Sequence, residues 1–240
     1  MKAFILAAGL GTRLKPITEH FPKALVEVNG KPLLQRLIEK MKHSGYTDIV
    51  INVHHFAEQV IDFLNANQNF GVRIQISDER EQLLDTGGAL LKAKPLLENE
   101  PYFLLHNVDI LSDIDFSKIT EHHIKSKALA TMAIRDRNSD RKFLFNEKLQ
   151  LEGWQNTKTN EKILIENYSE TLTPFAFSGI HVVDFNIFKF IKQTGKFSII
   201  ETYLDLSETY DIRGFRHDED LWLDIGKPEH LELAQRIFDF

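Results

Sequence analysis

Arg13 and Lys23 stand ten residues apart in the stretch LAAGLGTRLKPITEHFPKALV, from Leu6 to Val26. An apolar run enters a turn holding Ala8, Gly9, Gly11 and Thr12. The two basic residues follow, with Pro22 just ahead of the lysine. Glycines without a Cβ let backbone N–H groups approach an anion closely. An arginine can fork onto two phosphate oxygens, and a lysine adds a compact charge. Taken singly, each feature also fits a tight turn with solvated charges. Together, after a first strand, they point to a phosphate-bearing ligand. The spacing is not a dinucleotide fingerprint, whose third glycine would fall at Leu14, nor the G-x-x-x-x-G-K-[ST] of a Walker loop.

Two carboxylates lie far from this loop in sequence. Asp109 follows YFLLHNV, and Asp224 follows LWL. Both sit at the ends of predicted strands, where an α/β sheet binds its ligands. Turn capping by aspartate is the other use of such positions. His54-His55 and His122-His123 are adjacent pairs that do not share a helix face. With no third ligand at matching spacing, they read as surface histidines. There is no G-x-S-x-G elbow for a serine nucleophile, and no cysteine for a disulfide or thiolate metal site.

The elements that must position these groups alternate in period. KAFILA reads as a buried strand, and PLLQRLIEKMKHSG as a helix with Leu33, Leu34, Leu37, Ile38 and Met41 on one face. DIVINV, FGVRIQIS and YFLLHN read as strands, FAEQVIDFLNAN and TGGALLKAKPLL as helices between them. ITEHHIKSK reads as a further helix before the strand ALATMAI. This alternation predicts a three-layer α/β fold with a mostly parallel, Rossmann-like sheet covered on both faces. The second half changes character. FLFNEKLQLEGWQN reads as a hairpin turning near Asn146, PFAFSGIHVV as a strand, and LWLDIGKPEHLELAQRIF as a strand, a turn and a helix. The expected organisation is one domain over residues 1–240, with a parallel α/β half (1–112) and a half of added β structure (113–240).

The 240 residues are 42% hydrophobic and 27% charged, ordinary for a globular chain, and the formal charge is −6. That balance argues against nucleic acid as a partner. No segment approaches the roughly 18 apolar residues of a membrane span. MKAFILAAG lacks the cleavage region of a signal peptide. A cytoplasmic protein without a membrane partner is the expectation; oligomeric state is not legible.

The stretch LAAGLGTRLKPITEHFPKALVEVNGKPLL resembles the signature of the sugar-1-phosphate nucleotidyltransferases, roughly L-A-A-G-x-G-T-R-L-x-P-[LI]-T-x-x-x-P-K-x-L-x-x-[VI]-x-x-[KR]-P. The family also carries x-N-G-D and W-x-D-[IVT]-G, matched here by His106-Asn107-Val108-Asp109 and Trp222-Leu223-Asp224-Ile225-Gly226. Val108 replaces the usual glycine. A β-branched residue disfavours positive φ, so this turn is expected to bend differently.

The resemblance implies a fold of the nucleotide-diphospho-sugar transferase type, with a nucleotide-binding half over 1–112 and a sugar-phosphate-binding half over 113–240, and a reaction between a nucleoside triphosphate and a sugar 1-phosphate. It implies Mg²⁺ held by Asp109 and Asp224, with Asn107 near the nucleotide. It places Gly9, Gly11 and Thr12 on the phosphates, Arg13 on the leaving pyrophosphate, and Lys23 between the α-phosphate and the sugar phosphate. Gly87 and Gly88 resemble the family's glycine pair against the base edge, with Asp85 or Gln82 adding hydrogen bonds; Asp85 or Thr86 as a helix cap is the other reading. Ser178, Gly179 and Glu152 fall where relatives contact the sugar, although the lysine of the family's E-E-K-P is absent. The overall pattern is most similar to the N-acetylmuramate 1-phosphate uridylyltransferase type, which implies UTP. Mannose-1-phosphate guanylyltransferases, a phosphocholine-type cytidylyltransferase and a catalytically silent nucleotide-binding module stay open.

Overall fold

The computed structural model describes residues 1–238. Its first half runs β1 (Lys2–Leu6), β2 (Glu27–Val28), β3 (Lys31–Pro32), α1 (Leu33–His43), β4 (Asp48–Val53), α2 (Ala57–Ala66), β5 (Arg73–Asp78), α3 (Asp85–Leu97), β6 (Tyr102–Asn107) and β7 (Ile110–Ser112). The second half continues with α4 (Phe116–Ser126), β8 (Ala130–Arg135), β9 (Arg141–Phe145), β10 (Leu151–Asn156), β11 (Glu161–Leu164), β12 (Thr173–Asp184), α5 (Ile199–Ser207), β13 (Ile212–Arg216), β14 (Trp222–Asp224) and α6 (Pro228–Ile237).

Ten strands form the central sheet. Its path is β11-β10-β9-β12-β6-β1-β4-β5, with β8 paired to β12 and β13 paired to β8. The strands that residues 1–112 contribute to this sheet are all parallel: Ile5 of β1 pairs with Ile51 of β4 and His106 of β6, and β5 follows β4 in the same sense. Its connections are the helices that the 3.6-residue period predicts, because parallel neighbours need a crossover. The expected three-layer α/β architecture is therefore present, and the second half adds the antiparallel β structure. The twelve-residue β12 runs antiparallel to β6, β8 and β9, and the β9–β10 hairpin continues into β11.

Alternation along β1 divides the core. Ala3 and Ile5 face a cluster with Leu34, Leu37, Ile38 and Met41 of α1, Val60 and Leu64 of α2, and Phe116 and Ile119 of α4. Phe4 faces the other layer, with Leu90, Ala93 and Leu97 of α3 and Ile199, Tyr203 and Leu206 of α5. Local caps agree: Asp115 accepts from Ser117 N at 2.8 Å to start α4, and Ser198 accepts from Ile200 N at 3.3 Å to start α5.

A third, smaller cluster matters most for function. Leu14, Val26, Val28, Leu33, Leu111, Leu223, Ile225, Ala234 and Phe238 bury one another. They come from the glycine-bearing loop, the segment after Lys23, β7 just past Asp109, β14 around Asp224, and α6. The apolar neighbours of all four charged candidates thus share one patch, which holds distant chain segments in register.

One member of the histidine pairs departs from expectation. His123 is buried in the packed face of α4, with Nδ1 3.0 Å from Thr131 Oγ1. His54 and His122 are half-buried, His54 with Nδ1 2.6 Å from the Glu79 carbonyl, and His55 is exposed as expected. No group of three or more metal-ligating side chains occurs among the described residues, and no helix there is long and apolar enough to cross a membrane.

Candidate active site

The carboxyl ends of β1, β4, β5 and β6 open onto one cavity of about 440 Å³. Ala8, Gly9, Gly11, Thr12, Arg13, Lys23, Asp85, Asn107 and Asp109 all line it. So do residues that the sequence did not single out, chiefly Asn52, Glu79 and Lys196.

The floor of the glycine-bearing loop is fixed from beneath. Asn52, buried at the end of β4, accepts from Ala7 N at 2.6 Å and Ala8 N at 3.2 Å through Oδ1. Its Nδ2 donates to Glu79 Oε1 at 2.8 Å, and Glu79 Oε2 accepts from Leu84 N at 3.1 Å. The fully buried Glu79 carboxyl is raised above its usual range by loss of hydration, against the pull of those two hydrogen bonds. One amide–carboxyl pair therefore ties the loop after β1 to the segment leading into α3. The Ala8 amide is thereby occupied and is not available to a ligand. The amides of Gly9, Leu10 and Gly11 donate to nothing among the described residues. Gly11 adopts φ +65, and its carbonyl accepts from Leu14 N and from Thr18 Oγ1. A side chain there would meet Thr18 and the Lys23 Cβ, so the tight turn requires glycine.

One backbone ladder, extended by a further hydrogen bond, brings the carboxylates together. β14 pairs antiparallel to β7 with Asp224 opposite Ile110, and Ile225 N donates to the Asp109 carbonyl at 2.8 Å. Lys23 enters from the 3₁₀ turn Lys23–Leu25, and its ammonium donates to Asp109 Oδ2. Arg13, well exposed, reaches to 3.9 Å from Asp224 Oδ2. Asp224 Oδ1 is buried with no hydrogen-bond partner. Burial raises the Asp224 carboxyl above its usual range, and Asp109 adds to that shift, while Lys23, Arg13 and His230 pull against it. Val108 does not take positive φ; it packs into the core at the cavity wall, with its amide on the Leu6 carbonyl at 3.1 Å.

Several sequence-based expectations need correction. Gly87 and Gly88 lie inside α3, not on the cavity wall. Both amides turn to the Phe197 carbonyl, and an added Cβ would lie 2.3 Å from the Phe197 ring at Gly87 and 2.2 Å from the Gly195 carbonyl oxygen at Gly88. The pair admits the chain's own 195–197 segment, not a base. Neither Asp85 nor Thr86 is the residue before α3; Leu84 is. Asp85 is its first residue, at φ +59, and Thr86 Oγ1 accepts from Ile199 N at 3.0 Å. Gln82 is exposed and does not line the cavity. Ser178 is fully buried and its hydroxyl pairs with His217 Nε2 at 2.6 Å. Glu152 is buried in β10, its carboxylate held by Asn146 Nδ2, Ser169 N and Ser169 Oγ. Neither has a free group for a sugar. Gly179 packs on the Asn107 amide, close to the site but not lining the cavity.

Residues 2–238 match the family described as nucleotidyl transferase. The N-acetylmuramate alpha-1-phosphate uridylyltransferase of Neisseria meningitidis serogroup B is 44% identical over 117 residues, 49% of this chain and 50% of that protein. The mannose-1-phosphate guanyltransferase of Aspergillus fumigatus is 29% identical over 241 residues, covering 95% of this chain and 62% of its own length. The chain thus aligns with about half to three fifths of these curated relatives. In three dimensions it is similar to HddC from Yersinia pseudotuberculosis, a structure with GMP-PN, at a TM-score of 0.77 and 24% identity over 98% of both chains.

Proposed function

The chain belongs to the nucleotidyl transferase family, and from that membership we propose that it transfers a nucleotidyl group from a nucleoside triphosphate, UTP, to a sugar 1-phosphate, N-acetylmuramate 1-phosphate. The observation that carries the reading is the cavity itself. Unpaired loop amides, Arg13, Lys23 and Asp109 line it, and Asp224, which does not line it, lies 3.9 Å from Arg13.

In this reaction an oxygen of the sugar phosphate attacks the α-phosphorus. The bond from that phosphorus to the β-phosphate oxygen breaks, and pyrophosphate leaves. The attacking group is already an anion at neutral pH, so no general base is required. The obstacle is repulsion between anions, and positioning with charge neutralisation overcomes it. The amides of Gly9, Leu10 and Gly11 bind phosphate oxygens. Arg13 holds the β- and γ-phosphates and the departing pyrophosphate. Lys23 draws the α-phosphate and the acceptor phosphate together. Asn52 and Glu79 fix the loop so that its amides point the right way, and Asp85 and Asn107 border the nucleotide.

Asp109 and Asp224 fit a divalent cation. They are adjacent hard oxygen donors, and the buried Asp224 Oδ1 has no internal partner. Mg²⁺ favours one or two carboxylates completed by substrate phosphates and water. When bound, the ion neutralises triphosphate charge and polarises the α-phosphate.

The choice of UTP and N-acetylmuramate 1-phosphate rests on likeness to a relative over half of the chain. A guanylyltransferase acting on mannose 1-phosphate is the second reading, because such a relative aligns along 95% of it. Pyrophosphate release from four nucleoside triphosphates against a panel of sugar 1-phosphates, with and without Mg²⁺, decides between them. The proposal expects the highest kcat/KM for UTP with N-acetylmuramate 1-phosphate. Absence of pyrophosphate release with every acceptor in the panel would leave a silent nucleotide-binding module.

A further inference from the structure

Three consecutive residues of β12 organise one flank of the site. The Phe177 carbonyl accepts from an Arg137 N–H at 3.1 Å, and the Ser178 carbonyl accepts from Trp222 Nε1 at 2.9 Å. Gly179 packs on Asn107. The β12–β8 register shifts between Phe177 and His181, so these backbone groups turn out of the ladder at this point. The Arg137 guanidinium lies over the Trp222 ring, 4.5 Å from its centroid. Trp222 and Asp224 are two apart on β14 and share a face. A cation on that ring therefore stands beside the Asp224 carboxylate, the anion that offsets its burial.

Arg137 is under-used by the protein. A guanidinium has five N–H donors. Only Phe177 O and Asn138 O accept from it among the described residues, and its Nε is buried without a partner. Arg135 approaches the same ring at 5.9 Å, but it is committed to the carbonyls of Asp218 and Asp220. Each of the two spends two donors on main-chain carbonyls, but only Arg137 has a buried Nε left without a partner.

Sheet order says which reactant meets it. The cavity is walled by segments following β1, β4, β5 and β6, all on one side of β12. Arg137 follows β8, across β12 from those strands, and does not line that cavity. The nucleotide occupies the first side, so the acceptor approaches from the second. The acceptor's phosphate has Lys23 and the carboxylate-held ion. A further stacked, half-desolvated arginine beyond Asp224 offers spare donors to a second acceptor group on the same molecule. A planar fork matches a carboxylate with two parallel hydrogen bonds. A ring hydroxyl would engage a single donor and bring no charge of its own.

We propose that Arg137, laid flat on Trp222, is a specificity-determining residue that selects sugar 1-phosphates bearing a carboxylate. This rests on the nucleotidyl-transfer reading and assigns the group that recognises the acid of its proposed acceptor.

The test compares N-acetylmuramate 1-phosphate with N-acetylglucosamine 1-phosphate, which lacks the lactyl carboxylate, in wild type, R137M and R137K. The expected ratio of kcat/KM in wild type is on the order of 10² in favour of the acid. R137M brings that ratio close to one, mainly through KM, and R137K restores part of it. A purely structural arginine would lower both substrates together and keep the ratio, and that result overturns the proposal; so does a wild-type ratio near one. Calorimetric titration of the two sugar phosphates into wild type and R137K separates the failures. Should no acceptor turn over, the transfer reading falls by itself. Tighter wild-type binding of the acidic sugar, weakened in R137K, still upholds the arginine's role, and equal binding of both sugars rejects it.

Discussion

Lys23 and Asp109 are 86 residues apart in sequence, and the ammonium of one donates to the carboxylate of the other inside the cavity. Both are largely buried, with side-chain exposures of 9% and 21%. In the proposed reaction, a cation held this way is aimed at the place where the reactant phosphates would meet an ion on Asp109. Replacing Lys23 by Met should lower kcat/KM for pyrophosphate release by ~10²-fold or more. Unaltered kcat/KM in a folded variant would remove Lys23 from the reaction.

On the proposed reading, Asp224 serves the reaction at a cost to stability. Its carboxylate is partly desolvated, repelled by Asp109, and has one orphaned oxygen. Asp224→Asn should raise the metal-free melting temperature while the Mg²⁺ concentration for half-maximal activity increases and the rate falls on the order of 10²-fold. A lower Tm together with an unshifted Mg²⁺ titration would count against the metal assignment.

The Asn52–Glu79 pair predicts a separable effect. Asn52→Ala strips acceptors from the Ala7 and Ala8 amides and leaves Glu79 short of a donor. Each buried group left unsatisfied costs about 1–3 kcal/mol. Denaturant midpoints should fall accordingly, and KM for the triphosphate should rise more than kcat drops, because the loop loses its support. Equal loss in both constants would place Asn52 elsewhere in the mechanism.

Gly88→Ala tests the packing of α3 against the 195–197 segment. The new Cβ would lie 2.2 Å from a backbone oxygen, which cannot rotate away. Overpacking of this kind costs about 1–3 kcal/mol. Gly9→Ala, with nothing within 4 Å of its Cβ, is the stability control and should unfold near the wild-type midpoint. Matching midpoints for both variants would show that the segment yields.

Four buried histidines make stability acid-sensitive. Burial lowers His106 and His181 to about 3, and His123 and His217 to about 4. In the unfolded chain each titrates near 6.5. Between those values the unfolded state binds more protons, so stability is full above about pH 7 and falls as pH drops from 6.5 toward 4. Each group contributes up to ~1.4 kcal/mol per pH unit in that window. His123→Asn should flatten the dependence of unfolding free energy on pH between 6 and 4.5. An identical slope in the variant would mean that His123 protonates without unfolding.

The parallel half was legible because its signals are local. The apolar period of α1, the strand DIVINV and the turn at Gly9–Gly11 are written in contiguous residues. Asn52 carried a faint signal, a polar residue inside the apolar run VINV, but its role appears only once Glu79 folds beneath it. Lys196 had none: it comes from a non-periodic segment and reaches the cavity because α3 and α5 pack together. Gly87 and Gly88 announced a close backbone approach without saying what approaches. Ser178 and Glu152 looked available because their hydrogen-bond partners, His217, Asn146 and Ser169, are supplied by tertiary contact.

Because β12 is bonded to β6 on one edge and to β8 and β9 on the other, it works as a fixed ruler between the two halves. Exchanging the hairpin and the residues that follow β8 could retune which sugar is admitted while leaving triphosphate handling alone. Adding a single residue near position 178 would instead throw the two halves out of phase, so diversification in such proteins should accumulate at the tips beyond this strand and spare its length.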